Sequence, residues 1–244
     1  MLIGLTFFHV DWSAYLGELV KGIERTIEFT AVSYVGAVTL AALIAMARVG
    51  GSRILIRLAV VYTEIFKNVP LLTWIFVIYY GLASAGLVLS AFVAGSLSLT
   101  LFYGAYISEI FRGGIQGVDA GQLDAAQAIG LTGWQVKRYV VLPQAARLSL
   151  TGTATMVVDL LKATSLLVTI AGSELMTQGQ VITSVTFRAL QVYIVIGAIY
   201  FLLCYPTSQS VLWVERRLQR GVAVSVTRRR WQAIAKHQLA YMGR

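Results

Sequence analysis

Three long stretches of the sequence carry no charged side chain, and they restrict the possible folds more than any other feature. Residues 29–47, 68–108 and 189–214 contain no Asp, Glu, Lys or Arg. A helix needs about 20 apolar residues to cross a hydrocarbon layer of about 30 Å. Charged residues make up only 13% of the chain, about half the share that soluble domains carry. We therefore predict an all-α, polytopic membrane protein.

The uncharged runs and one further apolar stretch predict five transmembrane helices. The run 68–108 is too long for a single crossing, and Gly81 and Gly86 suit a turn within it. Residues 149–171 are apolar apart from one acid and one base. The predicted spans are 26–47, 57–80, 88–109, 149–171 and 190–214.

Two segments could lie along the membrane surface. Glu64, Lys67 and Pro70 interrupt the second predicted span, so its first half could run along the interface instead of across the membrane. Upstream of the first span, apolar residues recur at helical spacing and predict a short helix on the outer surface. These residues are Leu16, Leu19, Val20 and Ile23.

Basic residues are distributed unevenly between the spans. Most of the 20 Lys and Arg residues lie in three places: just after span one, between spans three and four, and in residues 216–244. The positive-inside rule then places the N-terminus outside and the C-terminus in the cytoplasm. The chain divides into an outer segment 1–25, a membrane domain 26–220 and a basic cytoplasmic tail 221–244. A basic cytoplasmic face and anionic lipid account for the net charge of +9 without a nucleic-acid partner.

Between spans three and four the chain is polar and rich in small residues. Asp119 with Gln122, and then Thr132 with Gln135, have the spacing of helix-capping boxes. We predict a helix of about ten residues that ends before Gly130, and a second short helix that ends near Pro143. The first helix could dock into a partner through its alanines, or it could pack against the spans of its own chain.

No motif for bond chemistry or metal binding occurs in the sequence. It lacks a glycine-rich loop ending in Lys-Ser or Lys-Thr, a G-x-S-x-G turn and an H-E-x-x-H pair. His9 and His237 stand near opposite ends of the chain, and Cys204 is the single cysteine. We expect no catalytic residue, no metal site and no cofactor bound by this chain. Energy for active transport would come from another protein.

The polar loop resembles the EAA loop of ABC importer permeases, whose pattern is E-A-A-x-x-x-G, nine residues, then I-x-L-P. The matching residues are Asp124, Ala125, Ala126, Gly130, Val140, Leu142 and Pro143, with Asp in place of Glu and Val in place of Ile. Flanking stretches resemble the permeases for polar and charged amino acids, of the histidine/glutamine/arginine/glutamate type. They are 68–82, 105–122, 159–175 and 199–218.

The resemblance implies a five-span subunit in the cytoplasmic (inner) membrane of a bacterium. Such permeases work in identical or homologous pairs with two cytoplasmic ATPase subunits and an extracytoplasmic substrate-binding protein. Their EAA helix inserts into a groove of the ATPase, which uses ATP and Mg. The loop 119–143 would be this coupling surface, and the chain would import an amino acid by alternating access. Gly36, Gly95 and Gly104 are candidates for close helix approach in the pair.

Charged residues inside the spans are the candidates for the substrate path, because ionisable groups in a bilayer are costly. Three acid–base pairs are three residues apart, on one helical face, where the members could neutralise each other. They are Glu64/Lys67, Glu109/Arg112 and Asp159/Lys162. For Glu109/Arg112 we favour that structural role. An amino acid needs an acid for its ammonium and a base for its carboxylate, so the other two pairs, with Thr164 and Ser165, could line a path.

Two departures from the family pattern concern the substrate. Lys67 stands where relatives usually have Arg, and Trp74 stands where they have Gln. The substrate of any one relative is therefore not transferred to this chain. The alternative is the same machinery for an opine or a sulfur-containing amino acid. An ATP-independent channel would not need a coupling helix, and an accessory membrane scaffold would not need charges within its spans.

Overall fold

Long helices make up almost all of the described chain. The computed structural model describes residues 10–219. Its main helices are α1 Trp12–Gly50, α2 Arg53–Asn68, α3 Leu71–Phe76, α4 Ala91–Gln116, α5 Ala120–Ala128, α6 Leu142–Ala163, α7 Leu175–Thr186 and α8 Ala189–Gln219. A π-helical turn, Val77–Gly81, and a short helix, Leu82–Ser84, continue α3. Among these residues there is no strand, which confirms the all-α prediction. The predicted tail 221–244 lies outside the described residues.

The helices long and apolar enough to cross a membrane agree with the predicted spans. Among the described residues, four single helices meet this requirement: Trp12–Arg48, Ala91–Gln116, Gly133–Ile170 and Ala189–Val214. A fifth is formed if α2 and the helical segment Leu71–Ser84, which begins with α3, are counted as one broken span with a bend of 107°. The prediction of about five spans is therefore confirmed with a broken second span.

The break between α2 and α3 follows from a proline. Val69 leaves the helical region, with φ −109° and ψ 134°, because the residue before a proline is disfavoured in the α conformation. Pro70 has no N–H to donate, and α3 begins immediately after it. The break excludes a single straight helix across the membrane for the second predicted span. A position of α2 along the membrane surface is compatible with this break.

The first helix is longer than predicted. The expected outer-surface helix and span one are a single helix, α1, and the predicted boundary at residue 26 falls inside it. Leu19 is buried, whereas Leu16 and Val20 are exposed. A side chain on Gly22 would place its Cβ 3.0 Å from the Cα of Leu175 in α7. This close contact gives the N-terminal half of α1 a packing partner, and its charged residues do not interrupt the helix because they lie on the exposed side.

The fourth span also begins earlier than predicted. Gly133–Gln135 leads through a π-helical turn, Val136–Val141, directly into α6, which ends in a 3₁₀ turn, Thr164–Ile170. The expected short second helix therefore does not end near Pro143. Pro143 lies in the first turn of α6, where a missing N–H is tolerated. The prediction that the fourth span begins at residue 149 is therefore wrong, because its helix begins well before that residue.

The core lies between α1, α4 and the fourth span. Phe29, Leu99, Ile107, Leu160 and Leu167 are fully buried there. The three glycines proposed for close helix approach all lie at contacts within this chain. A Cβ would lie 2.8 Å from the Thr100 hydroxyl at Gly36, 2.9 Å from Leu167 at Gly95 and 3.0 Å from Leu40 at Gly104. They bring the helices of one subunit together, so they are not free for packing between subunits.

Candidate functional site

The polar loop between α4 and α6 is a short capped helix on a defined turn. Asp119 is the N-cap of α5, and its carboxylate accepts a hydrogen bond of 2.8 Å from the Gly121 amide. Gly130 ends the helix with a φ of +85°, and a Cβ there would meet nothing within 4 Å. Glycine is therefore favoured at this position by backbone conformation and not by crowding.

One of the two predicted capping boxes forms in full. Thr132 and Gln135 cap each other, with the Thr132 amide 2.8 Å from the Gln135 side-chain oxygen. At the first position the box does not form, because Asp119 caps the Gly121 amide and not that of Gln122. Gln122 accepts a hydrogen bond from Gln144 in α6 and does not cap back onto Asp119. This contact fastens α5 to the start of α6.

Helix α5 has one face packed and one face exposed. Ala126 is 5% exposed and packs with Val118, Val136 and Val141. Asp124 and Ala125 are exposed. Helix α5 can therefore pack against its own chain with one face and present the other face to a partner.

The other residues of the EAA-like pattern lie in the π-helical turn before α6 and at the start of α6. Val140 is half-buried, and Leu142 and Pro143 are exposed. Sequence reasoning missed two aromatic residues beside them, Trp134 and Tyr139, which are 67% and 64% exposed. The sequence feature that could have identified them is that large aromatic residues are present in an otherwise polar loop.

The pair Glu64 and Lys67 does not form an ion pair among the described residues. The exposed Glu64 carboxylate accepts a hydrogen bond of 3.0 Å from the Asn68 side chain. Lys67 is half-buried, and its backbone carbonyl accepts a hydrogen bond of 3.3 Å from the Tyr106 hydroxyl. The end of α2 therefore lies against α4.

Asp159 and Lys162 are also not joined by an ion pair in the described part of the chain. Asp159 accepts a hydrogen bond of 3.0 Å from the Tyr103 hydroxyl. Tyr103 and Tyr106 are three residues apart on α4 and so share one helical face. The structure thereby brings Asp159 and the Lys67 backbone to neighbouring positions along α4.

The hydroxyls of Thr164 and Ser165 serve the backbone of their own helix. The Thr164 hydroxyl donates to the Leu161 carbonyl at 2.7 Å, and the Ser165 hydroxyl donates to the Lys162 carbonyl at 2.7 Å. Thr164 is fully buried, whereas Ser165 is half-buried. Both lie where α6 tightens into the 3₁₀ turn.

The pair Glu109 and Arg112 forms, with a partner that sequence reasoning missed. Their ion pair measures 2.7 Å, and the second Glu109 oxygen binds Arg48 from the end of α1. Arg48 also donates to the Thr63 hydroxyl in α2. Local spacing could not reveal Arg48 or Thr63, because they are far from Glu109 in the sequence.

Sequence reasoning also missed Glu174, a fully buried acid before α7. Its carboxylate caps α7 by accepting from the Met176 amide at 2.7 Å and the Thr177 amide at 2.8 Å. The Tyr200 hydroxyl of α8 donates to it at 2.7 Å. Burial raises the pKa of the Glu174 carboxyl, and these hydrogen bonds oppose the rise. An acid just before an apolar helical segment was the available signal.

Comparisons with known proteins agree with the sequence pattern. The profile of the family described as the inner membrane component of binding-protein-dependent transport systems matches residues 37–220. A probable glutamine ABC transporter permease of Bacillus subtilis (strain 168) is 35% identical over 200 residues, which cover 82% of this chain and 93% of the relative. A nopaline transport permease of Agrobacterium fabrum is 34% identical over 208 residues, covering 81% of this chain and 86% of that one.

The fold is also similar to that of a solved transporter. The crystal structure of an amino-acid ABC transporter with histidines contains a chain that superposes with a TM-score of 0.82 at 32% sequence identity. The match covers 86% of this chain and all (100%) of the other. Helix arrangement and sequence therefore point to the same group of proteins.

Proposed function

Because the chain belongs to the family of inner membrane components of binding-protein-dependent transport systems, we propose that it is the permease subunit of an ATP-driven importer for a polar or charged amino acid. The single observation that carries the coupling part of this proposal is the exposed face of α5. Asp124 and Ala125 lie on it, within a helix that is capped at Asp119 and ended at Gly130. A rigid helix with small exposed side chains is suited to a groove of a partner.

The partners follow from this role. An external binding protein delivers the amino acid, two ABC ATPase subunits bind ATP and Mg in the cytoplasm, and a second permease, identical or homologous, completes the path. The N-terminus faces outwards and the C-terminus inwards, which places α5 on the side of the ATPases. The chain itself performs no bond chemistry.

Closure of the ATPases displaces α5, and the displacement changes which side of the membrane the path opens to. Along the path, the carboxylate of Asp159 attracts the substrate ammonium. The ammonium of Lys67 or of Lys162 attracts the substrate carboxylate. Asp159 and Lys162 are exposed in the single chain, and no ion pair between them neutralises either group among the described residues. Glu64, Thr164 and Ser165 take a smaller part, because their hydrogen bonds are made within their own helices.

An opine is the second candidate substrate, and the relationship to the nopaline permease favours it over a sulfur-containing amino acid. Trp74, one of the two departures from the family pattern, stacks on Phe66 with ring centroids 4.2 Å apart. It supplies an aromatic surface near the end of α2 in place of an amide. A larger substrate with additional apolar surface is compatible with this change.

Docking of the ATPase is tested by purification of the tagged chain from cells that also express candidate ABC ATPase subunits and binding proteins. The matched variants are Gly130→Leu and Gly133→Leu. Both add the same side chain to open space on the loop, but only Gly130 has a positive φ. We expect Gly130→Leu to distort the end of α5 and to lower ATPase recovery at least about tenfold, or about 1.4 kcal/mol.

The control, Gly133→Leu, is expected to retain the ATPase. Equal recovery with both variants would contradict docking through α5. Purification of the unaltered chain without any ATPase would contradict the importer itself. Stimulation of ATP hydrolysis by glutamine, histidine, arginine or nopaline, each with its binding protein, identifies the substrate.

A further inference from the structure

A chain of charged and polar side chains joins three helices at the end of the bundle that precedes α5. Arg48 lies in the last turn of α1. Its guanidinium donates to Glu109 of α4, to the Thr63 hydroxyl of α2 and, at 3.4 Å, to the Ala59 carbonyl of α2. Arg48 is 11% exposed and Glu109 is 21% exposed. We call Arg48, Thr63 and Glu109, with Arg112 and Gln116, the arginine cluster.

The cluster extends along α4 towards the polar loop. Arg112 donates to Glu109 at 2.7 Å and to the Gln116 side chain at 2.7 Å. Gln116 is the last residue of α4, and the cap of α5, Asp119, follows closely in the sequence. A displacement of α5 therefore acts on the end of α4 that carries the cluster, as well as on the start of α6 through the contact of Gln122 with Gln144.

The contacts of Arg48 with α2 fall on the part of α2 that is packed. The buried residues of this helix are Ala59 and Thr63, and Arg48 donates to a group of each. Much of the remaining surface is exposed and apolar, as at Ile54 and Leu58. Arg48 thus holds the first half of the broken span where it meets the bundle.

Thr63 does not need Arg48 to satisfy its own hydroxyl. That hydroxyl already donates to the Ala59 carbonyl at 2.6 Å. A largely buried ion pair is also a weak means of stabilising a fold, because desolvation offsets much of the attraction, whereas it can specify one arrangement of the groups it joins. The geometry of the cluster therefore favours a role in fixing α1, α2 and α4 relative to one another.

We propose that Arg48 is a positioning residue that makes the ends of α1, α2 and α4 move as one unit when α5 is displaced. The proposal rests on the proposed function, in which α5 receives the movement of the ATPase. Through Arg48 the displacement reaches α2, the first half of the broken span. Without Arg48, α5 and α4 still respond to the ATPase, but α2 does not follow.

The test is hydrogen–deuterium exchange of the reconstituted permease–ATPase complex, with and without a non-hydrolysable ATP analogue and Mg. The variants are Arg48→Met and Thr63→Val. The control is Arg25→Met, which removes an exposed ion pair of 2.7 Å with Glu28 within α1. Backbone amides of 119–129 report on α5, and those of 53–68 report on α2.

In the unaltered complex we expect the analogue to change exchange in both segments. In Arg48→Met we expect the analogue still to change the exchange rates of α5. Its effect on the exchange rates of α2 becomes about tenfold smaller, within the range expected for loss of coupling between sites. Thr63→Val retains the ion pair and gives a smaller loss, about threefold. If Arg48→Met does not fold, Thr63→Val still decides the question. Arg25→Met leaves both responses unchanged.

Three outcomes overturn the inference. They are an α2 response in Arg48→Met as large as in the unaltered protein, an equal loss in Arg25→Met, and an unaltered complex in which only α5 responds. Failure of the proposed function gives a different result, because α5 then shows no response to nucleotide in any variant.

Discussion

Two acid–base pairs of equal spacing differ in what the fold does with them. Glu109 binds Arg112, three residues further on, and is also bound by Arg48 from another helix. Asp159 has Lys162 at the same spacing, yet it accepts a hydrogen bond from Tyr103 and is exposed. Spacing permits a pair, but a third group decides whether the charge is neutralised within the chain. The neutralised pair joins helices, whereas Asp159 and Lys162 form no ion pair with each other among the described residues, as the proposed substrate path requires.

The largest effect on stability is expected from Glu109→Gln. The change leaves Arg48, 11% exposed, without its counter-ion. Breaking such a pair costs about 3 kcal/mol, which lowers the midpoint of thermal unfolding by about 6–12 °C. The measurement is thermal unfolding in detergent.

The control is Glu28→Gln, which breaks an ion pair of 2.7 Å whose members are about half exposed. Such surface pairs contribute about 0.5 kcal/mol. Equal midpoints for the two variants would remove the distinction between a closed cluster and a solvated pair.

A smaller effect on stability and a larger effect on transport are expected from Asp159→Asn. The amide oxygen can still accept from Tyr103, so unfolding should change by about 0.5 kcal/mol or less. Loss of the charge should lower uptake at low substrate concentration about tenfold, or about 1.4 kcal/mol. Uptake of labelled amino acid by proteoliposomes provides the measurement.

Tyr103→Phe is the matched control, since it removes the same hydrogen bond of 3.0 Å and leaves the carboxylate charged. It should cost about 1 kcal/mol of stability and retain most of the uptake. If Tyr103→Phe reduces uptake as strongly as Asp159→Asn, the hydrogen bond matters and not the charge.

The smallest effect is expected from Glu64→Gln. Glu64 is exposed and binds Asn68 within the same helix, a contact that a glutamine oxygen can also make. Stability should change by less than about 0.5 kcal/mol, and uptake should stay within about twofold. The same two assays measure both quantities. An effect as large as that of Asp159→Asn would move the recognition site from α6 towards α2.

Most of the membrane architecture could be predicted from where charges are missing. The uncharged runs correctly placed the cores of the first, third and fifth predicted spans, since charges in a bilayer are expensive. They did not place the ends of the helices. The first helix begins at Trp12 because its charged residues, such as Arg25 and Glu28, form a pair on the exposed side and do not break the helix. The fourth continues past Pro143 because the proline falls in the first turn after a π-helical turn.

Within the candidate site, local contacts could be predicted and distant ones could not. The cap at Asp119 and the turn at Gly130 follow from residue types at fixed spacing. The contacts of Arg48 with Thr63 and Glu109, and of Glu174 with Tyr200, join residues that only the fold brings together. A single sequence contains no spacing that would reveal them.

The most direct test of the central claim is uptake of labelled amino acid into proteoliposomes that contain the permease with its ATPase and external binding protein. An importer takes up one of glutamine, histidine, arginine or nopaline only when ATP and Mg are present on the ATPase side and the binding protein is present on the other. Uptake down a gradient without ATP would instead show a channel and would contradict the role assigned to α5.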